Sequence, residues 1–297
     1  IAVGKAALPE ELIISRALTA VAGTFAIVVI YLICRRVTGN RIAASVGALW
    51  LAVDPINIRH SQFIRPDIFV VVFSLTVCYF AMRIVDEPRL SDYVLAGISA
   101  GLAASSKYNG ALIVIPIIIA HLARFRTRGW HHQPIIWAAI ACVLTFFATT
   151  PFALLEWQRF WQEGILGTAE HYATGHAGGE GETLQWYVSF LWSNQGWLLV
   201  LALAEIVAAV WTQEKKRIVL ISFPLAYFAF VNLYTVRFET TILPVMPFVT
   251  LLAALFVARV YLCLSQRTVQ RLGVVAVAGI AVIFALPMLQ TAITHNQ

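Results

Sequence analysis

Long apolar runs alternate with short polar breaks along the whole chain, and the runs are apolar on every face. Residues 111–120 read Ala-Leu-Ile-Val-Ile-Pro-Ile-Ile-Ile-Ala, without a single charge. A strand of an outer-membrane barrel would alternate apolar with polar positions, so the pattern predicts helices instead. Ten segments emerge, at 14–34, 42–58, 68–85, 92–106, 109–123, 134–153, 190–211, 217–234, 240–262 and 272–291. A helix crossing a hydrocarbon core of about 30 Å needs roughly 20 residues, so the shorter segments imply tilt or partial burial. The predicted fold is all-α: a polytopic transmembrane helical bundle of about ten membrane segments, one domain over 1–297, with a larger outer loop at 154–189.

Composition agrees with this pattern. The chain is 60% hydrophobic and 12% charged, about half the roughly 25% charged of soluble domains. The four cysteines, Cys34, Cys78, Cys142 and Cys263, are isolated in or beside apolar runs and show no ligand spacing, so they read as small core hydrophobes. The first residue is Ile1, and no cleavable signal pattern follows it. Residues 1–13 resemble the end of a loop, and an upstream part, before Ile1, is expected to be missing.

Charge orients the segments. Alternate connections carry Arg35/Arg36/Arg41, Arg83/Arg89, Arg124/Arg126/Arg128, Lys215/Lys216/Arg217 and Arg259/Arg267/Arg271, which is 14 of the 21 Lys and Arg residues. The opposite connections and their edges hold most of the acids, including Asp54, Asp67, Glu156, Glu170 and Glu239. Positive-inside logic assigns the basic set to the cytoplasm. The net charge of +6 is therefore a topology signal, and no nucleic-acid partner is expected. Every unusual polar cluster then falls on the outer side, where the 154–189 loop carries Trp157, Phe160 and Trp161 as an interfacial stretch. It continues into the glycine-rich stretch 174–181, which suits a mobile cover.

Several outer-side residues could carry chemistry. The island Arg59-His60-Ser61-Gln62-Phe63-Ile64-Arg65-Pro66-Asp67 puts charge at the mouth of a span, where only pairing or function offsets the solvation cost. Asp67 either caps the following helix or belongs with His60 and Arg65 to a site that binds phosphate. Lys107-Tyr108 forms a corner between small-residue spans; the lysine either snorkels to the interface or contacts phosphate. His171 and His176 lie five apart, off the spacing of one helical face, so a zinc pair is weakly supported and hydrogen-bonding roles are equally open. Arg237 either forks onto a phosphate or is neutralised by nearby Glu239. Glu205 lies inside a span, where an acid is expensive, and has no assigned role.

With those residues in place, the chain resembles the GT-C class of integral membrane glycosyltransferases, in the protein O-mannosyltransferase and aminoarabinose transferase-like family. The resemblance rests on Arg16-Ala-Leu-Thr-Ala, Cys34-Arg-Arg-Val-Thr-Gly-Asn-Arg41, Ser61-Gln-Phe-Ile-Arg-Pro-Asp67 and Gly101-Leu-Ala-Ala-Ser-Ser-Lys-Tyr-Asn-Gly110. The stretch from Arg237 to Pro247 and the loop His171-Tyr-Ala-Thr-Gly-His176 followed by Trp186-Tyr187 and Gly196 add to it. It implies transfer of a sugar, by inversion, from a polyprenyl-phosphate donor to a protein, lipid or glycan acceptor. The setting implied is a bacterial or archaeal plasma membrane, with the site facing out of the cytoplasm. Substrate-binding roles would fall to Arg16, His60, Arg65, Lys107, Tyr108, His171, His176 and Arg237. In this family the principal acid follows the first span; here Glu10 and Glu11 do not match it, so the main base is expected upstream of Ile1. Asp67 matches the second acidic position as a supporting acid. Asp67 and His171 are candidate ligands for a divalent metal ion, the one cofactor the resemblance raises. The competing class is a polyprenyl-linked sugar transporter or flippase. Transporters put polar features near the midplane with internal symmetry, whereas these clusters lie at one face and no repeat is visible.

Overall fold

The computed structural model describes residues 9–125, 133–174, 179, 181–265, 279, 282–291 and 293. Among them every regular element is a helix. The first half runs α1 (Pro9–Thr38), α2 (Arg41–Ala52), α3 (Pro55–Gln62), α4 (Asp67–Asp86) and α5 (Leu90–Ser106). A tight turn, Tyr108–Ile113, leads into α6 (Val114–Phe125), followed by α7 (Gln133–Thr149). Outer helices follow: α8 (Phe152–Leu155), α9 (Trp157–Arg159), a wide turn over Phe160–Gly167, and α10 (Thr168–Thr174). The chain returns through α11 (Thr183–Gln195), α12 (Trp197–Thr212), α13 (Lys215–Val231), α14 (Glu239–Ile242) and α15 (Met246–Ser265), with a further apolar helix at Val282–Thr291.

Among the described residues four helices are long and apolar enough to cross a membrane: Leu12–Thr38, Asp67–Asp86, Tyr108–Phe125 and Glu239–Cys263. A fifth results if α11 and α12 count as one broken span. The expected total of ten is not confirmed, and residues 272–278, 280 and 281 of the last expected segment lie outside the described residues. Two expected segments are broken where local chemistry stops a helix. Within 42–58, Asp54 accepts from the backbone N–H groups of Ile56 (2.8 Å) and Asn57 (2.9 Å), with Pro55 at the first helical position. That combination starts a new helix, so α3 separates from α2. Within 190–211, Gly196 adopts φ +51° and α12 departs from α11 at 111°, a backbone state that glycine enters without a Cβ clash. Among its described residues the expected outer loop 154–189 is largely helical, from the stretch of Trp157, Phe160 and Trp161 onward.

Small residues set the closest approaches. Gly97 and Gly101 on α5 face the backbone of α7, where an added Cβ would lie 2.2 Å from the Ala138 carbonyl oxygen and 2.5 Å from that of Cys142. This is the small-xxx-small device that lets membrane helices touch backbone to backbone. The central core gathers Trp50, Leu75, Met82, Phe223, Tyr227 and Phe248, with α15 buried along most of its length. On α1 an apolar stripe of Leu18, Val21, Phe25, Val28 and Leu32 stays exposed, as suits a helix bordered by lipid.

Charge divides the bundle between two ends. At one end Arg36 and Lys216 flank Asp86 (2.9 and 2.8 Å), and Arg83 pairs with Asp92 at 2.7 Å. At the other, Arg59 meets Glu239 at 2.5 Å and Lys107 meets Asp67 at 2.8 Å. Helix α4 runs between them, from Asp67 to Asp86, so Arg36, Arg83 and Lys216 lie at the end opposite the polar island.

Candidate active site

The start of α4 holds Asp67, 4% exposed, with Oδ1 accepting from Lys107 Nζ. Asp67 does not cap its helix: the cap position is Pro66 and no side-chain cap bond forms. Lys107 does not snorkel free either. It leaves α5 in an extended conformation and turns back onto Asp67. A largely desolvated carboxylate thus fixes an ammonium in one place.

Lys107 also forms one edge of a cavity of about 320 Å³, with Tyr108 and Asn109 beside it. The outer segment supplies Gly164, Thr168 and Tyr172, and the returning chain supplies Tyr234 and Thr241. Backbone bonds hold the outer segment in place: Thr235 and Val236 donate to the Tyr172 carbonyl at 3.2 and 3.3 Å. The rings of Tyr172 and Tyr234 lie 5.2 Å apart, and Tyr108 meets Phe160 edge-on at 5.6 Å. The result is an aromatic chamber beside a fixed cation.

The other expected site residues disperse. Arg65 is exposed, rests 5.9 Å above the Phe63 ring, and lines a second cavity with Ser15, Leu18, Thr19, Pro66 and Phe69. Arg16 is exposed on α1 next to Ser15 but does not line that cavity. His60 is buried under α3, with neither ring nitrogen hydrogen-bonded. Burial and the adjacent Arg59 hold its pKa below 6.5, against the pull of Glu239 and Asp67. Arg237 is not neutralised by Glu239, which takes Arg59 instead. Its guanidinium donates to the Glu182 carbonyl at 3.3 Å and lies 3.0 Å from where a Cβ on Gly181 would stand. Arg237 therefore pins the glycine-rich stretch and is absent from the cavity wall. His171 is exposed on α10 beside Tyr172; His176 lies outside the described residues. Ile1, upstream of which the main base is expected, also lies outside them. Among the described residues no three His, Cys, Asp or Glu side chains come together in a way that could hold a metal ion, so the donor set for the expected divalent cation is not met there.

Sequence reading gave no individual role to Asn109, Tyr172, Tyr234 and Thr241. Each lies within four residues of a flagged charge or histidine, but nothing in their own pattern marks them. A buried polar chain was also missed: Gln195 donates to Asp54 at 2.6 Å, and Thr250 donates to Gln195 at 3.4 Å.

Comparison with known proteins adds the family. The model of the dolichyl-phosphate-mannose-protein mannosyltransferase family matches residues 11–152. The lipopolysaccharide core galacturonosyltransferase RgtA of Rhizobium johnstonii is 26% identical over 136 residues, 46% of this chain and 26% of that protein. RgtB of the same organism is 29% identical over 117 residues, 38% of this chain and 24% of that protein. The matched part thus spans about a quarter of these relatives. ArnT from Cupriavidus metallidurans bound to undecaprenyl phosphate shares the fold at a TM-score of 0.62 and 19% identity, over 95% of this chain and 57% of that one. The Archaeoglobus fulgidus oligosaccharyltransferase in complex with Zn and sulfate aligns at 0.57 and 16% identity, over 94% and 40%. The family match, the glycosyltransferase relatives and a fold shared over nearly the whole chain make this protein similar to the GT-C class of integral membrane glycosyltransferases.

Proposed function

We propose that the protein transfers a sugar from a polyprenyl-phosphate donor to an acceptor outside the cytoplasm. The observation that carries the reading is Lys107: a lysine on the wall of a ligand-sized cavity, held there by a buried aspartate. In such a transfer the acceptor oxygen forms a bond to the anomeric carbon and the bond from that carbon to the phosphate oxygen breaks. The electron pair leaves with the phosphate, which gains a negative charge as the bond parts. A fixed ammonium favours that transition state over the ground state. Asp67 supports the step by positioning Lys107, and a bilayer-embedded prenyl tail fits a site at the end of apolar helices. None of the described cavity-lining residues is a carboxylate, so the base that takes the acceptor proton stands off this wall.

The undecaprenyl phosphate in the ArnT structure and the galacturonosyltransferase names of the relatives support the donor class and the reaction class. The test is sugar transfer by the purified full-length protein from a labelled polyprenyl-phosphate sugar, comparing wild type with Lys107→Ala. Removing one electrostatic donor of this kind costs roughly 10²–10³ in rate, and that loss is expected here. Unchanged transfer by Lys107→Ala would sink the assignment, and translocation of the donor without any transfer would replace the enzyme by a flippase.

A further inference from the structure

Two polar side chains on the cavity wall have buried atoms without a hydrogen-bond partner among the described residues. Asn109 Oδ1 has no hydrogen-bond partner, and neither has Thr241 Oγ1, on a residue only 2% exposed. Thr241 Oγ1 stands close to the Tyr187 hydroxyl without closing a hydrogen bond to it. Buried polar atoms are rarely left unpaired, and an unmade bond of this kind costs free energy until a ligand supplies it. The rest of the wall is aromatic, from Tyr108, Tyr172 and Tyr234. Apolar and aromatic walls with a few placed polar atoms are how small-ligand cavities fix orientation.

We infer that this cavity seats the sugar ring of the donor and selects a sugar without net charge, with Asn109 and Thr241 reading its hydroxyls. This deepens the transferase reading and rests on it. A sugar hydroxyl can donate to Asn109 Oδ1, and the Thr241 hydroxyl can either give or receive. The ring's apolar faces meet the tyrosines. At about 320 Å³ the cavity lies near the lower limit of small-ligand sites, roughly 300 Å³, which suits one ring rather than a longer glycan. Charge selection follows from the pairing already made. Lys107, the one cation among the described lining residues, is matched by Asp67 and is the group assigned above to the phosphate. The nearby Arg59 is closed onto Glu239. A uronate or an amino sugar would enter with its charge desolvated and without a counter-charge on the described wall.

The experiment measures affinity of the purified full-length protein for three lipids: bare polyprenyl phosphate, the same carrier bearing a neutral hexose, and the carrier bearing a hexuronate. The hexose-bearing carrier is expected to bind at least tenfold more tightly than the bare carrier and than the hexuronate form. Thr241→Val and Asn109→Leu are each expected to weaken the hexose form by about tenfold, the value of one lost buried hydrogen bond, while leaving the bare carrier unchanged. Binding of the bare carrier also certifies that the variants are folded. Equal weakening of bare and loaded carrier would overturn the inference, because the cavity would then hold the carrier rather than the sugar. Hexuronate binding as tight as hexose binding would overturn the charge selection. Failure of wild type to bind any of the three would overturn the transferase reading and this inference with it.

Discussion

Lys107 and Asp67 depend on each other more than either depends on water. Asp67 is almost fully enclosed while the lysine keeps some solvent contact, so removing the lysine strands the more costly charge. Lys107→Met is expected to destabilise the protein by about 3 kcal/mol, the lower range for breaking a buried pair. Lys107→Met combined with Asp67→Asn should recover part of that loss. A double-mutant cycle by thermal unfolding in detergent checks it, and strictly additive losses would mean that the pair is uncoupled. His60 makes the contrasting case of a buried group with no partner. Its folded pKa is depressed, so the unfolded chain takes a proton first as pH falls below 6.5, and the native state is stabilised above that value. Stability is expected to decline from about pH 7 downward until the folded histidine also titrates, and His60→Leu should flatten that part of the profile. An unaltered slope in the variant would assign the acid sensitivity to another group. His60 and Asp67 were both legible as unusual in the sequence, because charge beside an apolar run is conspicuous. Which partners Asp67 and Arg59 would find was not, since Lys107 lies 40 residues from Asp67 and Glu239 lies 180 from Arg59.

Helix positions were readable wherever hydrophobicity alone decides them. Segments 14–34, 68–85 and 240–262 fall inside α1, α4 and the α14–α15 run, because an uninterrupted apolar stretch can satisfy its backbone in a membrane only as a helix. The breaks escaped that reading. Hydropathy carries across Asp54-Pro55 and across Gly196, while the backbone obeys the cap and the positive φ. The functional corner at Lys107 was legible because it interrupts two small-residue helices, and those small residues carry a consequence of their own. Gly97→Val should push α5 off α7, since even a Cβ would sit 2.2 Å from a carbonyl oxygen. A loss of about 3 kcal/mol or more is expected, beyond the usual 1–3 kcal/mol for overpacking. Gly39→Ala is the control: it has φ +67° and open space around it, so only the backbone penalty of about 1 kcal/mol applies. Equal melting shifts in the two variants would show that the close α5–α7 approach carries no special weight.

Across the whole molecule the two charged ends do different work. The island end keeps its charges around a cavity, whereas the basic end closes them into the packing. Glu205, fully buried, accepts from both Arg217 and Arg259, and Glu214 pairs with Arg217 at 2.6 Å and accepts from Arg259 at 2.5 Å. This network ties α12 and α13 to α15 at the end opposite Asp67. It also explains an acid inside a span that the sequence left without a role. Two carboxylates facing two guanidiniums leave no net charge. Glu205→Ala removes the more enclosed acid and leaves Arg217, itself buried, sharing Glu214 with Arg259. The expected cost is about 3–5 kcal/mol, read as loss of folded protein after mild heating in detergent. Glu205→Leu with Arg217→Met exchanges the pair for apolar contact and should be much less harmful, because replacing a buried pair by hydrocarbon of similar volume is often neutral. If the double variant falls as far as the single one, the network holds the fold by its shape and its bonds to Arg259 rather than by compensating a stranded charge. In neither variant should the affinity for polyprenyl phosphate change in the protein that remains folded, since the cavity lies at the other end of α13.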